Sequence, residues 1–231
     1  MDFVIDPAEP ASAAVCGGGL FPVRRIFCIG RNYADHVREM GGDPKSSSLV
    51  FFTKPADAVV GNGSSIPYPL MTGNLHFEGE LVVALKGGGV RLQTIDEAAA
   101  LIFGYAAGCD LTRRDLQAAA KDAGAPWDAA KAFDRSAPMG EILPVADAPK
   151  GFLDSARLET SINGETRQAA PLNDMIWTVP EIIISLSELF ELKPGDLIFS
   201  GTPAGVGPLI PGDKVDVRIG DLPSLSFSIA E

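Results

Sequence analysis

The sequence is poor in the residues that build zinc sites and disulfide frameworks. Its 231 residues include only two histidines and three cysteines, Cys16, Cys28 and Cys109. Three is an odd number, and the spacing of these cysteines matches no zinc motif. We therefore expect reduced thiols that serve as small buried hydrophobes in a reducing compartment.

Positive charge is also scarce. Lysine and arginine number 19 against 30 aspartates and glutamates, which gives a net charge of -11. Nucleic-acid surfaces and membrane-binding patches both need clustered cations, so the composition argues against both kinds of partner. A small anionic substrate would need positive charge supplied locally by a few side chains.

Long hydrophobic runs are missing as well. The longest weakly polar run covers residues 98–109, whereas a membrane-spanning helix needs about 20 residues. The first fifteen residues, MDFVIDPAEPASAAV, carry three acidic residues and no basic one, unlike the charged front of a secretory signal. We predict a cytoplasmic protein that does not enter a membrane.

Short apolar runs separated by glycine, proline and asparagine are abundant and predict a mostly β, α+β fold with many tight turns. The predicted strands are Arg25–Ile29, Leu49–Phe52, Leu81–Leu85, Leu158–Ile162, Asp196–Ser200 and Lys214–Ile219. The predicted helices are Asn32–Met40, Ile95–Phe103, Arg114–Ala123 and Val179–Phe190. Residues 1–20 end in three glycines and are interpreted as an N-terminal arm, followed by one main domain over residues 21–231.

Glu78 and Glu80 begin an otherwise apolar segment, NLHFEGELVVAL. Side chains two apart on a strand point to the same face, so these like charges repel unless a cation lies between them. Carboxylate oxygens suit a hard cation such as Mg²⁺ or Mn²⁺, and Asp110, at the end of another apolar run, is the candidate third ligand. The alternative for such an alternating pair is an ordinary solvated strand face.

His36 and Glu39 lie three residues apart on a predicted helix and share one face. The carboxylate can accept a proton from one imidazole nitrogen and leave the other nitrogen as a general base. The alternative is an ordinary pair on a helix surface.

Further polar groups follow Asp110. Arg114 and Gln117 are three apart on a predicted helix and can reach a substrate carboxylate together, and Lys131 can hold a developing negative charge. The loop over residues 200–207, SGTPAGVG, can present backbone N–H groups to a carboxylate, but it lacks the GK[ST] ending of a Walker loop.

Taken in order, these segments resemble the fumarylacetoacetate hydrolase family. The resemblance runs through IFCIGRNYADHVREMG, FFTKPADAVVG, NLHFEGELVVAL, FGYAAGCDLTRRDLQ, PWDAAKAFDRSAPMG and LKPGDLIFSGTPAGVGP, and it covers nearly the whole chain from Phe21 onward. Several of these stretches are most similar to fumarylpyruvate hydrolases of the gentisate pathway of aromatic catabolism, and next to acylpyruvases.

The resemblance implies a β-roll with a mixed β-sandwich and a few short helices, usually as a homodimer, that takes a small diketo-acid substrate. It implies that a divalent Mg²⁺ or Mn²⁺ is held by Glu78, Glu80 and Asp110. It further implies that His36 and Glu39 activate water and that Lys131 assists. The residues matching substrate-lining positions are Arg31, Tyr33, Arg114, Gln117, Gly201 and Thr202. The chain departs from the family pattern at Phe77 and at Gly79, where the missing side chain is expected to leave a hole.

The implied activity is metal-dependent hydrolysis of an acylpyruvate, with fumarylpyruvate as the favoured substrate. An oxaloacetate decarboxylase or a dienedioate isomerase of the same family remains open, as does a non-catalytic β-sandwich with a structural cation. The turn-forming residues 40–48, which follow the histidine and glutamate, are expected to form either a mobile lid or a plain surface loop.

Overall fold

The described residues form several β-sheets and six α-helices. The computed structural model describes residues 3–41, 43 and 49–231. Strands β1 to β18 cover Ser12–Ala14, Leu20–Pro22, Arg25–Gly30, Val50–Lys54, Val59–Val60, Ser65–Ile66, Leu75–Phe77, Gly79–Leu85, Ile102–Cys109, Thr112–Arg113, Ala137–Pro138, Leu143–Pro144, Arg157–Ile162, Glu165–Pro171, Asp196–Phe199, Gly207–Leu209, Lys214–Ile219 and Leu225–Ile229. Helices α1 to α6 cover Ala34–Glu39, Ile95–Ala100, Arg114–Ala123, Asp128–Lys131, Phe152–Ser155 and Val179–Leu189.

Two large sheets define the architecture. A six-stranded sheet has the order β12-β9-β8-β15-β3-β4, and a five-stranded sheet has the order β14-β13-β17-β18-β6. The first is mixed, because β15 and β3 run parallel while its other neighbours are antiparallel. A smaller sheet of β10, β7 and β16 lies where the chain enters β8.

The two large sheets pack face to face around the main core. Leu81 and Val83 of β8 share a buried cluster with Leu158 of β13 and Val217 of β17. The alternate residues of β8 point the other way, and Val82 joins a second cluster. Both faces of β8 are therefore buried, which explains its uninterrupted apolar sequence. The predicted mostly β fold with a mixed sandwich is confirmed.

One helix prediction was too long. Residues 95–103 were predicted as helix, but α2 ends at Ala100 and β9 begins at Ile102. Strand β9 pairs along β8. Gly108 is required in β9 because a Cβ at this position would clash with Val82 and lie 2.9 Å from Phe199. Tertiary pairing overrides the helical pattern.

The helix predicted after Thr178 forms as expected. The Thr178 side chain and Glu181 make a capping box, and Pro180 lies in the first turn of α6. Helix α3 likewise covers the predicted range from Arg114 to Ala123 and ends at Gly124 in the left-handed conformation, with φ of 63°.

The first strands form a hairpin. β1 pairs with β2, and Ala13 and Phe21 pack in the second cluster. This hairpin crosses the proposed boundary at residue 20, and the division into an arm and a main domain stays a prediction. Within the described residues, no helix is both long enough and apolar enough to cross a membrane. Most of the predicted lid, namely residue 42 and residues 44–48, lies outside the described residues.

Candidate active site

The three predicted carboxylates meet at one point beside the six-stranded sheet. Glu78 and Glu80 flank Gly79 where β8 begins, and Asp110 follows the last residue of the neighbouring β9. One oxygen from each carboxylate lies within 4.8 Å of the others, and all three residues are at least 95% buried. The solvated-face alternative for Glu78 and Glu80 is therefore wrong.

Buried cations hold two of these carboxylates. Lys131 Nζ donates to Glu78 Oε2 at 2.8 Å and to Asp110 Oδ2 at 2.7 Å. Lys54 Nζ lies 2.8 Å from Asp110 Oδ1, and Arg114 forms an ion pair with Glu78. In the described part of the chain, Glu80 has no ion pair and accepts only the backbone N–H of Gly201, at 2.9 Å.

The protonation tendencies follow this arrangement. Burial alone would raise the pKa of Glu78, but Lys131 and Arg114 outweigh it and lower that pKa well below its usual range. Burial raises the pKa of Glu80 well above its usual range, and the neighbouring Asp110 and Glu78 raise it further. Among the described residues, Glu80 therefore lacks the cationic partners that Glu78 and Asp110 already have.

This donor set fits a divalent cation. Three buried carboxylates supply hard oxygen ligands from two adjacent strand ends, and their separations allow one ion to contact all three. A cation beside Glu80 would also supply the charge missing there. The ligands would be Glu78, Glu80 and Asp110.

His36 and Glu39 form the predicted pair on α1. His36 Nδ1 lies 3.1 Å from Glu39 Oε2, and His36 is 8% exposed. His36 lines the same pocket as Glu78 and Glu80. The imidazole is thus held by a carboxylate on one side and faces the acidic centre within one cavity, which is not the arrangement of an isolated surface pair.

The glycine-rich loop over residues 200–207 does present N–H groups to carboxylates, and both acceptors belong to the protein. Gly201 N donates to Glu80 Oε2 at 2.9 Å, and Gly205 N donates to Glu39 Oε1 at 3.1 Å. Gly201 has a φ of 99°, and a Cβ there would lie 2.7 Å from the Cβ of Asn32. One loop therefore positions both the acidic centre and the histidine's partner.

Four of the six predicted substrate-binding residues line this pocket: Arg31, Arg114, Gln117 and Thr202. Arg114 Nη1 donates to Gln117 Oε1 at 2.5 Å, so the two predicted partners on α3 do meet. Thr202 Oγ1 donates to Gly79 O at 2.9 Å. Gly201 contacts Glu80 instead of facing the pocket.

Tyr33 lies elsewhere. It borders a separate depression with Asp174 and Pro203, is 3% exposed, and its hydroxyl has no hydrogen-bond partner within the described residues. Burial, with the nearby charges of Glu80 and Asp174, raises the pKa of Tyr33.

The expected hole at Gly79 is absent, so that prediction was wrong. A Cβ at this position would clash with Thr160 Oγ1 and lie 3.2 Å from Gln168 Oε1. Both residues come from the five-stranded sheet. The space that the side chain leaves is filled by the neighbouring sheet.

Three polar residues of the site were missed from the sequence. Lys54 is buried under Asp110, Gln168 accepts the Gly79 N–H at 3.0 Å, and Lys121 lines the pocket one turn beyond Gln117. Lys121 was within reach of sequence reasoning, because residues 114, 117 and 121 share one helix face. Lys54 and Gln168 are brought in by sheet pairing and packing, which no local pattern reveals.

The chain is similar to known enzymes over most of its length. The family model described as fumarylacetoacetate (FAA) hydrolase C-terminal matches residues 25–230. A fumarylpyruvate hydrolase from Ralstonia sp is 39% identical over 187 residues, covering 81% of this chain and 95% of that protein. The mitochondrial oxaloacetate tautomerase of Homo sapiens is 40% identical over 208 residues, covering 89% and 91%.

The structural comparison agrees. The crystal structure of fumarylpyruvate hydrolase from Pseudomonas aeruginosa, in complex with Mn²⁺ and pyruvate, superposes with a TM-score of 0.95 at 43% identity. The match covers 99% of both chains.

Proposed function

Because the chain belongs to the fumarylacetoacetate hydrolase family, we propose that it hydrolyses a carbon–carbon bond of an acylpyruvate, with fumarylpyruvate as the favoured substrate. The products are then fumarate and pyruvate. The observation that carries this proposal is the shared pocket of His36, held by Glu39, and the carboxylates Glu78 and Glu80. Hydrolysis needs both a general base for water and a site that binds the pyruvyl end.

The cofactor is a divalent cation, Mn²⁺ or Mg²⁺, held by Glu78, Glu80 and Asp110. When bound, it supplies a Lewis acid for the carboxylate and adjacent keto oxygen of the substrate's pyruvyl end. Arg114 and Gln117 stand beside Glu78 and orient that end of the substrate.

His36 acts as the general base. Glu39 holds Nδ1, which leaves Nε2 to take a proton from a water molecule. The water oxygen attacks the carbonyl carbon of the acyl part, which is the one farther from the pyruvyl carboxylate. The bond from that carbon to the adjacent methylene carbon then breaks, and its electron pair goes to the methylene carbon as the enolate of pyruvate.

Lys131 lies where the negative charge develops. Its ammonium group is buried, and although burial opposes the charged form, Asp110 and Glu78 raise its pKa and keep it protonated. It thus remains a cation that stabilises the enolate. Protonation of the enolate carbon gives pyruvate.

A second candidate is oxaloacetate tautomerisation, favoured by the 40% identical human tautomerase. This reaction moves a proton between carbon and oxygen and needs no attacking water, so the same pocket can serve it. Decarboxylation of oxaloacetate and isomerisation of a dienedioate share the enolate chemistry, and the decarboxylation is tested alongside it.

The experiment compares three substrates with protein that has been treated with EDTA and then given Mn²⁺ or Mg²⁺. Products are identified by NMR for fumarylpyruvate, acetylpyruvate and oxaloacetate. Metal-restored release of fumarate and pyruvate supports the hydrolase. Intact fumarylpyruvate together with faster enol–keto exchange of oxaloacetate would replace it with the tautomerase, and release of carbon dioxide would replace it with the decarboxylase.

We further propose that the chain works as a homodimer, as the family resemblance implies. Light scattering during size-exclusion chromatography tests this, and a mass of one chain at micromolar concentration would contradict it.

A further inference from the structure

The outer part of the pocket carries two cations without acidic partners. Within the described residues, Arg31 and Lys121 form neither an ion pair nor a hydrogen bond, yet both line the pocket. Arg114 and Lys131, by contrast, are already paired with carboxylates of the inner centre. Among the described lining residues, Arg31 and Lys121, both exposed, are therefore the cations that no carboxylate neutralises.

Lys121 lies on the same helix as Arg114 and is more exposed to solvent. It follows Arg114 by seven residues on α3, so it lies on the same helix face about 10 Å further along the axis. The residue as a whole is exposed, but its ammonium group lies 5.2 Å from the centre of the Trp127 ring.

An aromatic wall joins this outer cation to the inner centre. The Trp127 and Phe52 rings are 5.9 Å apart, and Lys131 Nζ lies 4.9 Å from the Phe52 ring centre. Phe52 and Trp127 both line the pocket. The wall therefore runs from Lys131 to Lys121, and it suits a flat unsaturated chain with a negative charge at its outer end.

The charges at the outer end repel each other. Partial burial of the ammonium group and the neighbouring charges of Arg114 and Arg31 lower the pKa of Lys121. Arg31 is itself held in the left-handed region, with a φ of 61°, where a residue other than glycine is uncommon. An anion between Arg31 and Lys121 would relieve the repulsion.

We propose that Lys121, with Arg31, binds a second carboxylate on the acyl part of the substrate and so makes the enzyme selective for dicarboxylic acylpyruvates. This inference rests on the proposed hydrolase function. It deepens that function, because the inner centre alone would accept acylpyruvates with or without a second carboxylate.

The test compares Lys121→Met with the wild type on fumarylpyruvate, which has the second carboxylate, and acetylpyruvate, which lacks it. We expect kcat/KM for fumarylpyruvate to fall at least tenfold, mainly through KM, while kcat/KM for acetylpyruvate changes less than twofold. Lys121→Arg should restore most of the loss. Lys214→Met removes an exposed lysine outside the pocket and serves as the matched control.

Equal losses on both substrates would overturn the inference, because they would mean that Lys121 supports only the helix end. A Lys121→Met variant that lost activity on neither substrate would overturn it too. Calorimetric binding of fumarate to the metal-free protein separates this inference from the hydrolase proposal. Weaker fumarate binding by Lys121→Met supports the carboxylate site even if the wild type cleaves neither substrate, and unchanged binding contradicts it.

Discussion

Gln168 Oε1 accepts the backbone N–H of Gly79 at 3.0 Å, so the five-stranded sheet fixes the one residue that separates Glu78 from Glu80. The same amide donates from Nε2 to Thr202 Oγ1 at 2.8 Å, and Thr202 donates to Gly79 O. Both backbone polar groups of Gly79 are thus bound by side chains. The spacing of the two glutamates therefore depends on a contact between sheets as well as on strand geometry.

Replacing Gly79 with alanine should disturb this contact. The new Cβ would clash with Thr160 Oγ1, and overpacking of this kind costs about 1–3 kcal/mol of unfolding free energy. Thr160 Oγ1 has no hydrogen-bond partner within the described residues, so Gly79→Ala with Thr160→Ala should regain part of the loss. Urea unfolding of the metal-free protein measures both variants.

Gly73→Ala is the control for this prediction, because a Cβ there would meet nothing within 4 Å. We expect its free energy of unfolding to stay within about 0.5 kcal/mol of the wild type. If Gly79→Ala changed the free energy of unfolding as little as Gly73→Ala, the close packing described at Gly79 would be incorrect.

Lys54 should be essential for the stability of the metal-free protein. It is fully buried against Asp110 and also donates to Leu111 O at 3.2 Å. Removing one partner of a buried ion pair typically costs about 3–5 kcal/mol, because the other charge is left uncompensated. Because Asp110 keeps Lys131 as a partner, we expect a loss at the lower end of this range for Lys54→Met, measured by urea unfolding in EDTA.

The double variant Lys54→Met with Asp110→Asn removes both members of this ion pair. It should recover part of the loss, since the Asp110 carboxylate, which Lys131 alone would then hold, is also removed. A double variant no more stable than Lys54→Met would show that the ion pair is not the cause.

Tyr33→Phe separates a substrate-binding role from a structural one. The Tyr33 hydroxyl is buried without a partner in the described part of the chain and lies outside the pocket of His36. We therefore expect kcat/KM on the best substrate to change less than twofold. A tenfold fall would restore Tyr33 as a substrate-binding residue.

The same variant should change stability at high pH. Burial raises the pKa of Tyr33 above its value of about 10 in the unfolded chain. The folded state then holds the phenolic proton longer than the unfolded state, so this contribution is present below pH of about 10 and is lost as the pH rises beyond it. Stability should fall less steeply above that pH in Tyr33→Phe than in the wild type; equal slopes would contradict this.

His36→Gln should slow hydrolysis strongly without weakening metal binding. General acid–base catalysis contributes about 10²–10⁴-fold, so kcat should fall by that factor. The histidine is not among the candidate ligands, so calorimetric binding of Mn²⁺ should be unchanged. Glu39→Gln should lower kcat less, because it leaves the imidazole in place. Full activity of His36→Gln would exclude the general-base role.

The sequence pattern was enough to predict a strand-rich fold and the acidic site, the family resemblance supplied the sandwich, and the missed features share one physical origin. The three carboxylates stand at strand ends, where an apolar run changes abruptly to Glu78, Glu80 or Asp110. That change can be seen in the sequence alone. The fit around Gly79 and the ion pair of Lys54 depend on strands far apart in the chain. Their side chains meet only after the sheets pack, so no local periodicity predicts them.

In the proposed mechanism, the acidic centre and His36 act together on an acylpyruvate. It is tested most directly by following fumarylpyruvate by NMR with EDTA-treated protein before and after addition of Mn²⁺. We predict no reaction before Mn²⁺ is added, and stoichiometric release of fumarate and pyruvate afterwards. Fumarylpyruvate that remains uncleaved after Mn²⁺ has been shown to bind would contradict it.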